Sequence, residues 1–215
     1  MEPKAHILNA AQVVFARHGF RQTSMSMVAE AAGLSRQALY HHFASKEALF
    51  AALVDALYEA GLEAARSAAT RATGSAGDVI AGVLIAQHQV LGSSLSGSPF
   101  MAELLEESAR QCGPAVATHT RRFDKELEAL CARLIRERRL AVRSGTTARD
   151  VAELVTMASK GAKAQHMGDG DTRYARALTR MISVICTGLE APPRNVRVAR
   201  ETNQTRETRR GRVTR

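Results

Sequence analysis

The chain has 215 residues, of which 45% are hydrophobic but only 4% aromatic, and this composition favours helices and argues against a β-sandwich. No run approaches the ~20 apolar residues of a membrane-spanning helix, and the scattered cysteines Cys112, Cys131 and Cys186 form neither a disulfide framework nor a paired zinc motif. The net charge of +9 is uneven, because residues 191–215 hold eight Lys or Arg residues against two Asp or Glu residues.

The first predicted element is an amphipathic helix near the N-terminus. Its apolar side is formed by Ile7, Leu8, Ala11, Val14 and Phe15. Glu2, Gln12 and Arg17 interrupt what would otherwise be the core of a signal peptide. We therefore expect a cytoplasmic protein.

A second, short helix is predicted after Thr23 and Ser24, because a hydroxyl at that position can accept a hydrogen bond from the free N–H groups of the first turn. Its apolar residues have the spacing of a helix with one buried face: Met25, Val28, Ala29 and Ala32. Gly33 follows where helices often end in a left-handed residue. The chain is therefore expected to turn at Gly33.

A third helix is predicted after Ser35, with Leu34 and Leu39 spaced to form a hydrophobic staple across its start. Leu39 and Phe43 share one side, which leaves Arg36, Gln37, Tyr40 and His41 on the other. Arg can pair with guanine and Gln with adenine in the major groove of DNA. Residues 24–43 therefore indicate a helix-turn-helix motif. The alternative is an ordinary solvated face of a small helical protein.

Six further helices are predicted, which makes about nine in an all-α fold. The first runs from Lys46 to about Ala72 and the second from Asp78 to Leu91. The third starts at Ser98-Pro99 and the fourth at Gly113-Pro114, since proline suits the first position of a helix. The last two start at Thr147-x-x-Asp150, which resembles a capping box, and at Asp171 or Thr172.

The last two helices carry small or apolar residues on more than one side. These are Ala152, Ala158, Gly161, Ala162 and Ala164 on the first, and Ala177, Met181, Val184 and Cys186 on the second. A helix with more apolar width than one core needs can be covered by a symmetry mate. This favours a homodimer, and the alternative is that the surplus packs within one chain.

A longer pattern surrounds the helix-turn-helix. F-x-x-x-G-F-x-x-T-S, starting at Phe15, runs into A-G-L-S and then L-Y-H-H-F-x-x-K, which ends at Lys46. Over about residues 4–55 the chain resembles the N-terminal domain of the TetR family of one-component transcriptional regulators. The resemblance implies that the third helix lies in the major groove and that residues on either side hold the phosphate backbone. The predicted DNA-binding residues are Thr23, Ser24, Ser35, Arg36, Gln37, Tyr40, His41, His42 and Lys46. Gln37 departs from the family, which often has a small residue or proline there.

The same resemblance implies a division of labour. Residues 1–50 would be the DNA-binding domain, and residues 51–190 a helical domain for effector binding and dimerisation through the last two helices. The expected function is a ligand-responsive repressor on a near-palindromic operator, with an activator of the same fold as the alternative. Few aromatic residues favour an apolar or amphipathic effector. Candidate cavity residues are His88, Leu91, Phe100, Met101, Leu104, His119, Phe123, Leu127 and Met157.

The Arg-rich residues 191–215 are predicted to be disordered, because they contain almost nothing apolar. They are either a solvated extension or an electrostatic anchor that adds phosphate contacts. A non-specific, basic DNA-coating protein is thus a second candidate function. No catalytic, nucleotide-binding or metal-binding motif is present, so we expect neither an enzyme nor a cofactor.

Overall fold

A computed structural model describes residues 3–93, 97–165 and 171–189. Within these ranges the chain forms eight α-helices and no strand, so the predicted all-α fold is confirmed. The helices are α1 (Pro3–Gln22), α2 (Met25–Ala31), α3 (Arg36–His42), α4 (Lys46–Arg71), α5 (Ala76–Ser93), α6 (Met101–Arg136), α7 (Ala148–Gln165) and α8 (Asp171–Leu189). None of these helices is long and apolar enough to cross a membrane. The Arg-rich segment 191–215, with its predicted disorder, lies outside the described residues.

The predicted break at Gly113-Pro114 is wrong, because α6 continues through it. Proline removes a single backbone donor and does not by itself end a helix whose buried face continues. Cys112 and His119 are buried on either side of Pro114 and keep α6 packed along its length. Cys112, next to this glycine and proline, is 4% exposed, and burial raises the pKa of its thiol.

Side-chain caps are present at four of the helix starts that the sequence predicted. The hydroxyls of Ser24, Ser35 and Ser45 accept hydrogen bonds from backbone N–H groups three residues later, at 3.3, 3.1 and 3.1 Å. Asp150 Oδ2 accepts from the Thr147 backbone N–H at 2.7 Å, and Thr147 Oγ1 accepts from the Asp150 N–H at 3.2 Å, which confirms the capping box. Helix boundaries in these segments are therefore set locally.

Two hydrophobic cores lie along the chain. The N-terminal core is built from α1, α2 and α3, and it also takes in the first turns of α4 and residues Leu104 and Cys112 of α6. Its centre is an aromatic cluster in which the Phe50 ring lies 5.1 Å from Phe15 and 5.0 Å from Phe20 between centroids. The second core joins the end of α4 with α5, α6, α7 and α8. The boundary predicted at residue 50 therefore falls inside α4, which belongs to both cores.

The start of α6 docks on a kink near the end of α1. Gly19 has φ 73° and ψ 173°, a conformation that essentially only glycine adopts. A Cβ atom there would lie 2.9 Å from Phe100 Cδ1 and 2.9 Å from Glu103 Oε2. The Arg21 backbone N–H donates to Glu103 Oε1 at 2.8 Å, and Ser98 Oγ donates to the Ala16 carbonyl at 2.6 Å. The glycine thus permits both the kink and the close approach of α6.

Gly19→Ala should cost about 2–5 kcal/mol of unfolding free energy, because backbone strain adds to the displacement of Phe100 and Glu103. Gly33→Ala is the matched control, since Gly33 also has a positive φ of 65° but open space where a Cβ would lie. Strain alone should cost about 1–2 kcal/mol in that variant. Urea denaturation of both variants measures the difference, and equal losses would show that the approach of α6 to Gly19 contributes nothing.

Candidate nucleic-acid interface

Helix α3 is held by one side only. It has seven residues, and Leu39 is its one fully buried side chain, at 0% exposure. Ser35 caps its start, and Phe43, which follows its end, is also buried in the N-terminal core. The remaining surface of α3 is therefore free to face a partner.

The outward surface of α3 carries residues that the sequence analysis predicted to bind DNA. Arg36, Gln37, Tyr40, His41 and His42 are all exposed. The Arg36 guanidinium carbon lies 5.5 Å from the centroid of the Tyr40 ring, which restrains a long side chain near the helix start. These residues present hydrogen-bond donors, acceptors and a ring edge on one strip, as direct reading of base edges requires.

The residues before α2 divide into one exposed and one buried hydroxyl. Ser24 is exposed while it caps α2. Thr23 is only 2% exposed, and its Oγ1 donates to the Gly19 carbonyl at 2.6 Å. The Thr23 side chain is directed into the domain, so this geometry gives its predicted phosphate contact no support.

Lys46 has an internal role that sequence reasoning missed. Its Nζ donates to the Phe20 carbonyl at 2.8 Å and more weakly to the Arg21 carbonyl at 3.4 Å. The same atom lies 4.4 Å from the centroid of the Phe20 ring. Lys46 thereby ties the start of α4 to the end of α1, beside the aromatic cluster.

His6 supplies a second tie that the sequence did not predict. Its Nε2 lies 3.0 Å from the carbonyl of Ala32, the residue that ends α2 just before the Gly33 turn. The bond joins residues 26 positions apart, so no local pattern could have indicated it. His6 therefore holds the turn between α2 and α3 against α1, and Lys46 holds the start of α4, just after α3, against the end of α1.

Comparison with known proteins supports the interpretation of this domain. Residues 7–53 match the family of bacterial regulatory proteins described as the tetR family. The transcriptional regulator UidR of Escherichia coli is 43% identical over 51 residues, which are 24% of this chain and 26% of UidR. The transcriptional repressor AcnR of Corynebacterium efficiens is 38% identical over 81 residues, or 38% of this chain and 40% of AcnR. Residues 7–53 therefore form a domain of the TetR type.

The similarity in sequence is partial, since the chain spans about a quarter of the length of UidR and 40% of the length of AcnR. The similarity in fold extends further. A solved structure from Mesorhizobium loti, described as a TetR-family regulator, has a TM-score of 0.70 at 19% identity. That alignment covers 88% of this chain and 97% of the other, so the helical domain also has the architecture found in a TetR-family structure.

The predicted effector residues do not line one cavity. Leu91 and Leu104 line a cavity of about 100 Å³ between the two domains. Phe123 and Leu127 are buried in the second core, whereas Met157 is 65% exposed on α7. Phe100 and Met101 lie at the start of α6, where Phe100 packs on the N-terminal core. His88 packs its ring 4.0 Å from that of Tyr174.

His119 sits in the contact between α4 and α6. Its Nε2 lies 2.7 Å from Asp55 Oδ1, and its ring stacks on Tyr58 at 5.4 Å. Nδ1 has no hydrogen-bond partner among the described residues and lies 3.5 Å from Glu59 Oε1. Glu59 also pairs with Arg122 of α6. Asp55 thus supplies the hydrogen bond that stabilises a buried imidazole.

Lys46→Ala should lower the unfolding free energy of the free protein by about 1–3 kcal/mol, because it removes a charged donor from two carbonyls and from the face of Phe20. Lys4→Ala is the control, since Lys4 is exposed on α1 and loses the same charge. Thermal denaturation without DNA measures both. A Lys46→Ala variant that melts with the native chain would mean that these contacts do not stabilise the domain.

Proposed function

We propose that this protein is a sequence-specific DNA-binding transcriptional regulator, a ligand-responsive repressor that binds a near-palindromic operator as a homodimer. The observation that carries the proposal is the exposed strip of Arg36, Gln37, Tyr40 and His41 on α3, within a TetR-family domain. Repression in particular is supported by the relative AcnR, which is named a repressor.

Within this proposal the interface residues have two tasks. Arg36 and Gln37 read base edges in the major groove, with Tyr40 and His41 beside them. Ser24, Ser35 and His42 hold phosphates on either side, which positions the domain without reading sequence. Lys46 uses two of its three donors inside the domain and keeps one for a phosphate.

The homodimer is supported by an apolar strip on α7 and α8. Leu154 and Met157 are 42% and 65% exposed, and Met181 and Val184 are 39% and 66% exposed. They recur at helical spacing, and the exposed small residues Gly161 and Ala164 continue the strip on α7. A two-fold axis through it would set two α3 helices on successive major grooves, about 34–36 Å apart.

The competing function is a basic protein that coats DNA through the Arg-rich segment 191–215. Selection of bound fragments from random DNA separates the two functions. A regulator should recover a two-fold repeated half-site and bind it at least a thousandfold more tightly than bulk DNA, by an order-of-magnitude estimate. A coating protein should recover no common sequence. Deleting residues 192–215 and measuring the salt dependence of affinity then tests the anchor role of that segment.

Arg36→Ala and Gln37→Ala should each relax base preference at one operator position and cost about 1–3 kcal/mol of binding there, because a bidentate contact to a base is lost. Arg17→Ala is the control, as Arg17 is an exposed arginine on α1 outside α3. Affinities for a library of single-base operator variants provide the measurement. Uniform weakening across the library by all three variants would contradict the reading role of α3.

Val184→Glu should convert the dimer to a monomer, because it buries a carboxylate in an apolar interface. Val13→Glu is closely matched, since Val13 is 63% exposed on a helix and lies in the other domain. Sedimentation at micromolar concentration should find a monomer for Val184→Glu and a dimer for Val13→Glu. A native chain that sediments as a monomer would overturn the interface.

A further inference from the structure

The largely apolar cavity of about 100 Å³ lies at the junction of the two domains, and we call it the junction cavity. Helices α4, α5 and α6 of the helical domain contribute to its wall, and α1 of the DNA-binding domain contributes Gln12. Seven of its ten lining residues are Leu, Val or Phe. The other three are Gln12, Tyr58 and Ser108. A ligand here would touch the DNA-binding domain itself.

The polar groups of the three hydrophilic side chains in the junction cavity are available to form a hydrogen bond with a ligand. Gln12, Tyr58 and Ser108 are partly buried, and none of their side chains donates to or accepts from another described residue. Burial, with a smaller contribution from Cys112, raises the pKa of the Tyr58 hydroxyl, which therefore stays protonated at neutral pH. Polar groups on a largely apolar wall are the usual means by which a pocket orients a ligand.

The size and lining of the cavity restrict its ligand. An apolar cavity of roughly 150 Å³ in another protein accommodates benzene, so a volume of this order suits one ring or a short chain. The wall carries no charged side chain, which disfavours an ion. The amide of Gln12 and the two hydroxyls complement a ligand with a single polar group.

We propose that the junction cavity binds a small neutral molecule, with one apolar ring or short chain and one hydroxyl group, and that Gln12 supplies its hydrogen bond. This site would deepen the proposed function. Binding of the ligand does not depend on that function, and only the effect of the ligand on DNA binding rests on it. The specificity-determining residue then belongs to the domain that reads DNA.

The same cavity lies beside the contacts that tie α1 to α6. Gln12 is one turn before Ala16, whose carbonyl accepts from Ser98, and Leu104 is adjacent to Glu103, which accepts from the Arg21 N–H. A ligand that fits better when α1 and α6 separate binds the separated state more tightly than the docked state. Ligand binding therefore shifts the population toward the separated state and weakens DNA binding.

Calorimetry with the full-length chain, without DNA, tests the site with p-cresol and toluene, which differ by one hydroxyl group. The native chain should bind p-cresol about five- to tenfold more tightly than toluene, as expected for one net hydrogen bond. Gln12→Leu should reduce this preference to less than twofold while it retains toluene binding, which also reports that the variant is folded. Gln165→Leu, at an exposed position of α7, should leave the preference unchanged. A preference that persists in Gln12→Leu would overturn the assignment.

Filling the cavity provides an independent arm. Ser108→Leu adds volume at a partly buried lining position and should abolish binding of both probes at an unchanged melting temperature. Binding that survives in this variant would place the probes elsewhere and overturn the proposal, as would the absence of any binding to the native chain.

Operator binding keeps the two proposals apart. If p-cresol binding depends on Gln12 while no DNA sequence is preferred, the site stands and the proposed function fails. If an operator is bound but p-cresol and toluene bind equally, the proposed function stands and the site fails. With both correct, saturating p-cresol should weaken operator affinity at least fivefold in the native chain and less than twofold in Ser108→Leu.

Discussion

The burial of Leu39 is the constraint on which the exposed surface of α3 depends. A helix of seven residues does not persist alone in water, because nucleation costs more than two turns of hydrogen bonds return. Helix α3 exists because Ser35 caps it and Leu39 enters the N-terminal core. Burying one leucine is worth about 1.5–3 kcal/mol. The burial of Leu39 also determines which side of α3 faces outward. The folding of α3 and the orientation of its exposed strip therefore have the same cause.

Leu39 is held firmly because the N-terminal core includes residues from α4 and α6 in addition to α1, α2 and α3. Phe50 of α4 joins Phe15 and Phe20 of α1, and Leu104 of α6 closes the other side. The two domains therefore share buried surface instead of meeting through a hinge. A movement of α6 relative to α1 therefore changes the contacts at the Gly19 kink directly and does not have to be transmitted along α4.

Local features of this fold were predictable from sequence, and long-range pairings were not. The serine caps, the Gly33 turn and the exposed face of α3 follow from residues within one or two turns of one another, and each was found. Proline misled at position 114 because packing of α6 outweighed a local rule. His6 and Lys46 bond residues that are 26 positions away, and Gln12 lines a cavity with residues of α4, α5 and α6. No periodicity in the sequence indicates such long-range contacts. The predicted effector residues are scattered for the same reason, since cavity walls are assembled from separate helices.

The outward strip of α3 contributes almost nothing to either core. Arg36, Gln37 and His41 are exposed and form no hydrogen bond or ion pair within the described part of the chain, whereas His6 and Lys46 hold the domain together through backbone carbonyls. Substitutions at these three positions can consequently accumulate after gene duplication without a penalty in foldability. For the same reason, a combinatorial library randomised at those three positions should consist mostly of folded members.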